Sequence, residues 1–167
     1  MSLSGKLLRI GVAAVVLQGP PALAQHQDFS QVQIGTVPVA DGLYMLTGQG
    51  GNIGVSVGAD GIVLVDDQFA GLVDKIRAAL AALDDGDVRL VLNTHWHFDH
   101  TGGNELLAGG GAMIVAHENV RKRMNSKQFV EFFQMERQPE PTAALPVITF
   151  TRDITLHLNG QTIEVQH

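Results

Sequence analysis

A dense cluster of metal-binding residue types constrains this chain more than any other feature. Residues 94–100 read Thr-His-Trp-His-Phe-Asp-His, and they directly follow Val88–Leu92, a short apolar run typical of a buried strand. Alternate side chains of an extended segment share one side, so His95 and His97 can bind one cation through their imidazole nitrogens. Any fold of this chain must therefore present the cluster at a strand end, facing a hollow.

Asp99 and His100 follow where the chain leaves the strand and turns, so they can offer a carboxylate and a third imidazole to a second cation. The sequence has 7 His and no Cys, so any metal must be held by histidine and carboxylate. Zinc suits these ligands, but iron and manganese accept them too, so the residue types do not identify the metal. Two cations that share a water make hydroxide available at neutral pH, so the cluster predicts metal-assisted hydrolysis.

The remaining sequence predicts a sheet with flanking helices, an α/β (α+β) class. Short apolar runs separated by turn formers predict strands, and a later change to helical spacing predicts an amphipathic helix. Asn125, with Gln128 three residues on, predicts a capped helix. The predicted elements are four β segments within 32–65 with a hairpin turn at 48–52, a helix over 68–83, a strand over 88–92, short helices over 102–107 and 117–124 around a strand at 113–115, a helix over 125–136, and a hairpin around Asn159-Gly160.

The first residues predict export. Residues 1–24 contain Lys6 and Arg9, an apolar run over 10–17 and the small-residue pattern Ala22-Leu23-Ala24. These are the parts of a cleavable secretory signal, and the apolar run is too short to span a bilayer. We therefore expect a periplasmic or secreted protein without stable membrane insertion, whose mature domain is residues 25–167.

The charge balance excludes one class of partner. The chain has 11 Lys and Arg against 17 Asp and Glu, a net charge of −6. No basic surplus is available to neutralise a phosphate backbone, so nucleic acid is not an expected partner. A small-molecule substrate remains, and the sequence carries no signal for an oligomeric state.

The segment Thr94-His95-Trp96-His97-Phe98-Asp99-His100-Thr101-Gly102-Gly103-Asn104 resembles the signature loop of the metallo-β-lactamase-fold hydrolases. The preceding β segments, Val65-Asp66-Asp67 and the following helices also occur in that family's order. The resemblance covers residues 32–167. It implies the family's αβ/βα sandwich, of which this chain resembles the N-terminal half only, a mixed β-sheet with flanking helices.

The resemblance also implies roles for individual residues. His95 and His97 would bind the first zinc ion, and Asp99 and His100 the second, with two Zn²⁺ in a complete site. Asp99 would in addition be catalytic, because it would orient the metal-bound hydroxide and take up its proton. Asp66 would support the histidine loop from behind the ligands.

The family completes its site with further ligands, another His, a bridging Asp and a last His, that have no counterpart in this sequence. His167 lies near the expected distance for one of them, but it lacks the His-Thr-x-Gly context, so we interpret it as a strand residue. The domain is accordingly expected to be truncated on its C-terminal side.

Three functions stay open at this point. The first is an exported zinc-dependent hydrolase that uses a metal-bound hydroxide on a β-lactam, lactone or ester. The second is a mononuclear iron oxidoreductase, since persulfide dioxygenases share the same loop. The third is a catalytically incomplete metal-binding fragment.

Other histidines and aromatic residues have structural interpretations. His117 is predicted to cap a helix rather than bind metal, and His157 to face solvent from its hairpin. Phe129, Phe132 and Phe133 are predicted to fill core, with the wall of an apolar substrate cleft as the alternative.

Overall fold

A computed structural model of the protein describes residues 27–131 and 134–167, so the predicted export signal lies outside the described residues. The strands are β1 (Gly35–Ala40), β2 (Leu43–Thr47), β3 (Ile53–Ser56), β4 (Ile62–Val65), β5 (Val88–Asn93), β6 (Met113–His117), β7 (Gln128–Val130), β8 (Met135–Arg137), β9 (Ile148–Phe150), β10 (Asp153–Leu158) and β11 (Gln161–Gln166). The helices are α1 (Val73–Ala81), α2 (Phe98–Thr101), α3 (Asn104–Gly109) and α4 (Glu118–Met124), with 3-10 turns at Ala70–Leu72 and Thr142–Ala144.

Seven of the strands form one mixed sheet in the order β1-β2-β3-β4-β5-β6-β9. The first four strands pair antiparallel as a meander. From β4 onward the pairs β4–β5, β5–β6 and β6–β9 are parallel, with helices in the connections. Parallel neighbours end at the same edge of a sheet, so the carboxyl ends of β4, β5 and β6 lie side by side.

Both faces of the central strands are buried, which explains their continuous apolar runs. Leu64, Val91 and Ile114 belong to a core that includes Ile76 and Leu80 of α1. The alternate side chains face the other way and pack against the β10–β11 hairpin, namely Val63, Leu90, Leu92 and Val115 against Ile154, Leu156, Leu158, Ile163 and Val165. The sheet therefore lies between a layer of helices and a β-hairpin.

Most predicted elements are confirmed, including the four β segments, the strand after the first helix and the hairpin around Asn159-Gly160. The first helix is shorter than predicted, since α1 begins at Val73 after a 3-10 turn. Gln68 has a left-handed φ of 56° and Phe69 an extended ψ of 146°, so neither residue can belong to a helix.

The helix predicted over 125–136 is wrong. The α4 helix ends at Met124, and β7 and β8 then pair antiparallel, with Phe129 opposite Glu136. Phe129 and Val130 are residue types that favour strands, and this preference outweighs the capping pattern at Asn125. The core prediction is also wrong for Phe129, which is 57% exposed, while Phe132 and Phe133 lie outside the described residues.

The expected fold class, a mixed sheet with flanking helices, is confirmed. Among residues 27–131 and 134–167, no helix is long and apolar enough to cross a membrane.

Candidate metal centre

The histidine loop (residues 94–100) begins where β5 ends and continues into the short helix α2. Asp66 follows β4, the parallel neighbour of β5, and therefore lies beside the start of this loop. Its φ of 64° is left-handed, a conformation that aspartate tolerates better than most residues. The sheet edge thus brings a carboxylate and the histidine loop together from distant parts of the sequence.

Asp66 anchors the loop through three hydrogen bonds. Its Oδ1 accepts from the Thr94 backbone N–H at 2.8 Å, and its Oδ2 accepts from the Thr94 hydroxyl at 2.7 Å. Oδ2 also lies 2.8 Å from Nδ1 of His100. A carboxylate can only accept, so Nδ1 of His100 carries the proton and Nε2 is the nitrogen available to a metal.

The imidazoles of the loop lie against one another. The ring centroids of His95 and His97 are 4.8 Å apart, and those of His95 and His100 are 4.0 Å apart. Asp99 joins them, with its Oδ2 at 3.5 Å from Nε2 of His100. Partial burial lowers the pKa of His95, and the neighbouring imidazoles lower it further, which favours the neutral form that binds metals.

The donor chemistry of this group fits a divalent cation such as zinc, since it offers three imidazoles and a carboxylate at one sheet edge. Among the described residues, however, no three such side chains are arranged as a ready metal-binding group. The Thr94 hydroxyl donates to Asp66, so it accepts from Nδ1 of His95 at 3.0 Å and leaves Nε2 of His95 available to a metal.

A glycine loop (residues 48–52) between β2 and β3 packs on the histidine loop. A Cβ on Gly51 would lie 2.5 Å from Cε1 of His100, and one on Gly50 would lie 3.1 Å from Cβ of Asp99. The side-chain amide of Gln68 donates to the Gly51 carbonyl and holds the glycine loop in place. Only residues without a side chain permit this approach.

The opposite side of the histidine loop is also tightly packed. A Cβ on Gly102 would lie 2.6 Å from the Phe98 carbonyl oxygen and 2.7 Å from that of Gln68, so no side chain fits there without a shift of the backbone. The backbone N–H of Gly103 donates to Oδ1 of Asp67 at 2.8 Å. Asp67 is fully buried, and this burial raises the pKa of its carboxyl well above the usual value.

A pair of buried amides completes the support. Asn93 and Asn104 exchange two side-chain hydrogen bonds of 3.1 and 2.9 Å, and Asn104 also donates to the Ala144 carbonyl. Asn104 belongs to the segment that carries the family resemblance, but the sequence alone assigns no role to Asn93, Asn104 or Gln68. Polar residues at both ends of the histidine motif are a signal that could have identified the two asparagines. Gln68 has no such signal, because its role depends on a contact with a distant loop.

The other histidines that the structure describes are His117, His157 and His167. His117 is buried and caps α4, since its Nδ1 accepts from the Asn119 N–H, which confirms the capping prediction. Its Nε2 lies 3.1 Å from the Thr151 carbonyl oxygen. His157 is exposed on β10, as predicted. His167 directly follows β11 and stacks on His117, with 3.7 Å between ring centroids.

The histidine motif, the Asp66 anchor and the mixed sheet together agree with a family comparison. The model of the metallo-beta-lactamase superfamily matches residues 46–167. The chain belongs to the metallo-β-lactamase superfamily. This is a superfamily of metallo-hydrolases, so the expectation of a metal-dependent hydrolase is supported at that general level.

Solved structures of metallo-β-lactamases share the fold. A Cronobacter sakazakii metallo-β-lactamase with a HARLDQ motif matches with a TM-score of 0.66 and 19% identity, over 78% of this chain and 51% of its own. A variant of FEZ-1 from Legionella gormanii matches with a TM-score of 0.65 and 17% identity, over 81% and 53%. BJP-1, a subclass B3 enzyme of Bradyrhizobium japonicum, matches with a TM-score of 0.63 and 23% identity, over 76% and 49%.

The chain thus spans about half the length of the solved metallo-β-lactamases that it matches. No curated protein matches its sequence.

Proposed function

We propose that this chain carries the metal-binding half of an exported zinc-dependent hydrolase that acts on a small molecule. The observation that carries the proposal is the group of three imidazoles and the Asp99 carboxylate at the carboxyl end of β5, anchored by Asp66. Superfamily membership supports metal-dependent hydrolysis in general. Zinc is proposed because histidine and carboxylate ligands suit it.

The residues that would hold zinc are His95 and His97 for one ion, and Asp99 and His100 for the other. When bound, zinc supplies a Lewis acid that polarises a carbonyl group and makes water easier to deprotonate. Asp66 fixes the tautomer of His100 so that Nε2 faces the site. Asp99, with a side chain 33% exposed, would orient the attacking water and take up its proton on the carboxylate.

The proposed substrate is a β-lactam, a lactone or an ester. Export, predicted from residues 1–24, favours extracellular or periplasmic small molecules over nucleic acids or intracellular thioesters. The relatives named above are metallo-β-lactamases, which supports a β-lactam by analogy of fold.

Metal content tests the first part of this proposal. The full chain is dialysed to equilibrium against zinc, iron and manganese in competition, and bound metal per chain is measured by mass spectrometry. We expect zinc to bind and His97→Ala to lose most of it. His157→Ala is the matched control, since His157 is exposed on β10 close to the turn that bonds to Asp60 and Gly61, at the opposite end of β4 from Asp66. Preferential iron binding would instead favour an oxidoreductase.

Hydrolysis tests the second part. The zinc-loaded chain is assayed with a chromogenic cephalosporin, a lactone and an aryl ester. We expect turnover of one class that falls by at least about 100-fold in Asp99→Asn, since the change removes both a positioned proton acceptor and a proposed zinc ligand. Undiminished turnover by His97→Ala would refute a metal-dependent reaction.

A further inference from the structure

An arginine side chain lies over each of the rings of Trp96 and Phe98 in the histidine loop. Arg123 at the end of α4 lies over the ring of Trp96, with its guanidinium carbon 5.5 Å from the ring centroid. Arg137 at the end of β8 lies over the ring of Phe98 at 4.9 Å. Trp96 itself touches His97 edge-on, with 4.7 Å between ring centroids. The guanidinium of Arg123 is therefore separated from the proposed ligand His97 by one ring, and Arg137 lies over the residue that follows His97 in the chain.

The charges of the two arginines are neutralised unequally. Arg137 pairs with Glu140 at 2.7 Å. For Arg123, no ion pair is formed with any residue in 27–131 or 134–167. The adjacent Lys122 is already satisfied by Glu118 at 2.8 Å. In a chain with a net charge of −6, Arg123 is thus an unpaired positive charge beside the candidate metal centre.

These residues share one depression of the surface. Trp96, Phe98, Arg123 and Arg137 line a shallow groove, together with the polar side chains of Gln128 and Gln138 and the carboxylate of Glu140, which pairs with Arg137. Aromatic rings provide apolar walls, and the guanidinium groups provide donors that match a carboxylate in a two-point geometry. A guanidinium that rests on a ring loses less side-chain freedom when it binds, because the ring already restricts its position.

We propose that this groove is an anion subsite that selects substrates bearing a carboxylate, with Arg123 as the principal contact. Arg137 adds a second donor group, and its ion pair with Glu140 reduces the positive charge that it offers to an anion. The inference rests on the proposed function, since it assigns the groove to a substrate of the same site. The proposed substrate is an anionic small molecule whose carboxylate binds in the groove and whose scissile bond lies toward His97.

The test uses Trp96, which is the only tryptophan of the chain and lies under Arg123. Phenylacetate and its neutral analogue phenylacetamide are titrated into the full chain, both as purified and after metal removal by dialysis, and Trp96 fluorescence is followed. We expect phenylacetate to give a saturable change, and phenylacetamide to bind at least about tenfold more weakly, because the charged hydrogen bond is lost.

Variants assign the effect to Arg123. Arg123→Gln is expected to weaken phenylacetate binding about tenfold, and Arg123→Lys to restore part of it, since the charge returns without the planar fork. Lys122→Gln removes the same charge from the preceding residue of α4 and is expected to bind phenylacetate like the wild type. Equal binding of acid and amide, equal binding by wild type and Arg123→Gln, or no binding of phenylacetate would each overturn the proposal.

The binding test on metal-free protein is independent of hydrolysis. If the zinc-loaded chain hydrolyses neutral esters but shows no Arg123-dependent binding, the subsite fails and the proposed function stands. If phenylacetate binds through Arg123 but no variant of the histidine loop alters turnover or metal content, the proposed function fails instead.

Discussion

The carboxylate of Asp66 determines how the histidine loop presents its ligands. Asp66 accepts from both donors of Thr94 and from Nδ1 of His100. We predict that Asp66→Asn destabilises the metal-free chain by about 1–3 kcal/mol, because an amide cannot accept all three bonds. We also predict zinc affinity about 10–100-fold weaker, since His100 is no longer held in the required tautomer.

Denaturant unfolding measures the first effect, and nitrogen NMR shifts of His100 report its tautomer without any metal. Asp74→Asn is the control, because the Asp74 side chain is 98% exposed on α1. An Asp66→Asn chain that keeps the proton of His100 on Nδ1 and binds zinc normally would contradict the assigned role.

The glycine loop and the histidine loop pack closely because Gly50 and Gly51 have no side chains. We predict that Gly51→Ala weakens zinc binding, because the new methyl group would meet Cε1 of His100 at 2.5 Å and displace one of the loops. Gly109→Ala is the matched control: Gly109 ends α3, and a Cβ there meets no atom within 4 Å. Equilibrium zinc titration compares the two variants. Equal affinities would show that the loops accommodate the methyl group with no loss of zinc affinity.

The α4 helix depends on a histidine cap. We predict that His117→Ala lowers the free energy of unfolding by about 2 kcal/mol, since it removes the hydrogen bond from Asn119 and the contact with Thr151. His117→Asn should recover about 1 kcal/mol, because asparagine is a good N-cap. Metal content should stay unchanged in both variants, and a loss of bound zinc would instead identify His117 as a ligand.

Local patterns predicted the elements whose residues interact with near neighbours. The alternating runs around Asn159-Gly160 and the helical spacing before Ala81 are signals of this kind, and both elements formed. The helix over 125–136 failed because α4 already ends at Met124 and the next residues find strand partners in β8. Local capping chemistry at Asn125 could not reveal that pairing.

The candidate site divides in the same way. His95, His97, Asp99 and His100 are close in sequence, so their spacing alone could bring them together. Contacts between distant segments, such as that between Gln68 and the glycine loop, cannot be predicted from the sequence. Neither the residue types nor their spacing indicates which segments meet. Asp66 was expected only through the family resemblance, and its hydrogen bonds to Thr94 depend on parallel pairing of β4 with β5.

The layered architecture depends on the apolar packing and the hydrogen bonds that hold the β10–β11 hairpin against the sheet. Its apolar side chains cover Val63, Leu90, Leu92 and Val115 on one face. At the hairpin turn, Asn159 exchanges hydrogen bonds with Asp60 at 3.0 and 2.7 Å and donates to the Gly61 carbonyl at 2.9 Å. These bonds join segments about one hundred residues apart, so they act on the packing of the layers rather than on one element.

We predict that Asn159→Gly lowers the free energy of unfolding by about 1–3 kcal/mol, because it removes the side-chain bonds to the β3–β4 turn. Glycine is the informative substitution, since Asn159 has a φ of 53° and glycine adopts that backbone without strain. Hydrogen exchange should accelerate in β10 and β11 while β4 and β5 stay protected. Thr155→Ala, exposed on the same hairpin, is the control. Uniform acceleration across the sheet would mean that hairpin and sheet unfold as one cooperative unit, and that Asn159 stabilises the entire layered structure.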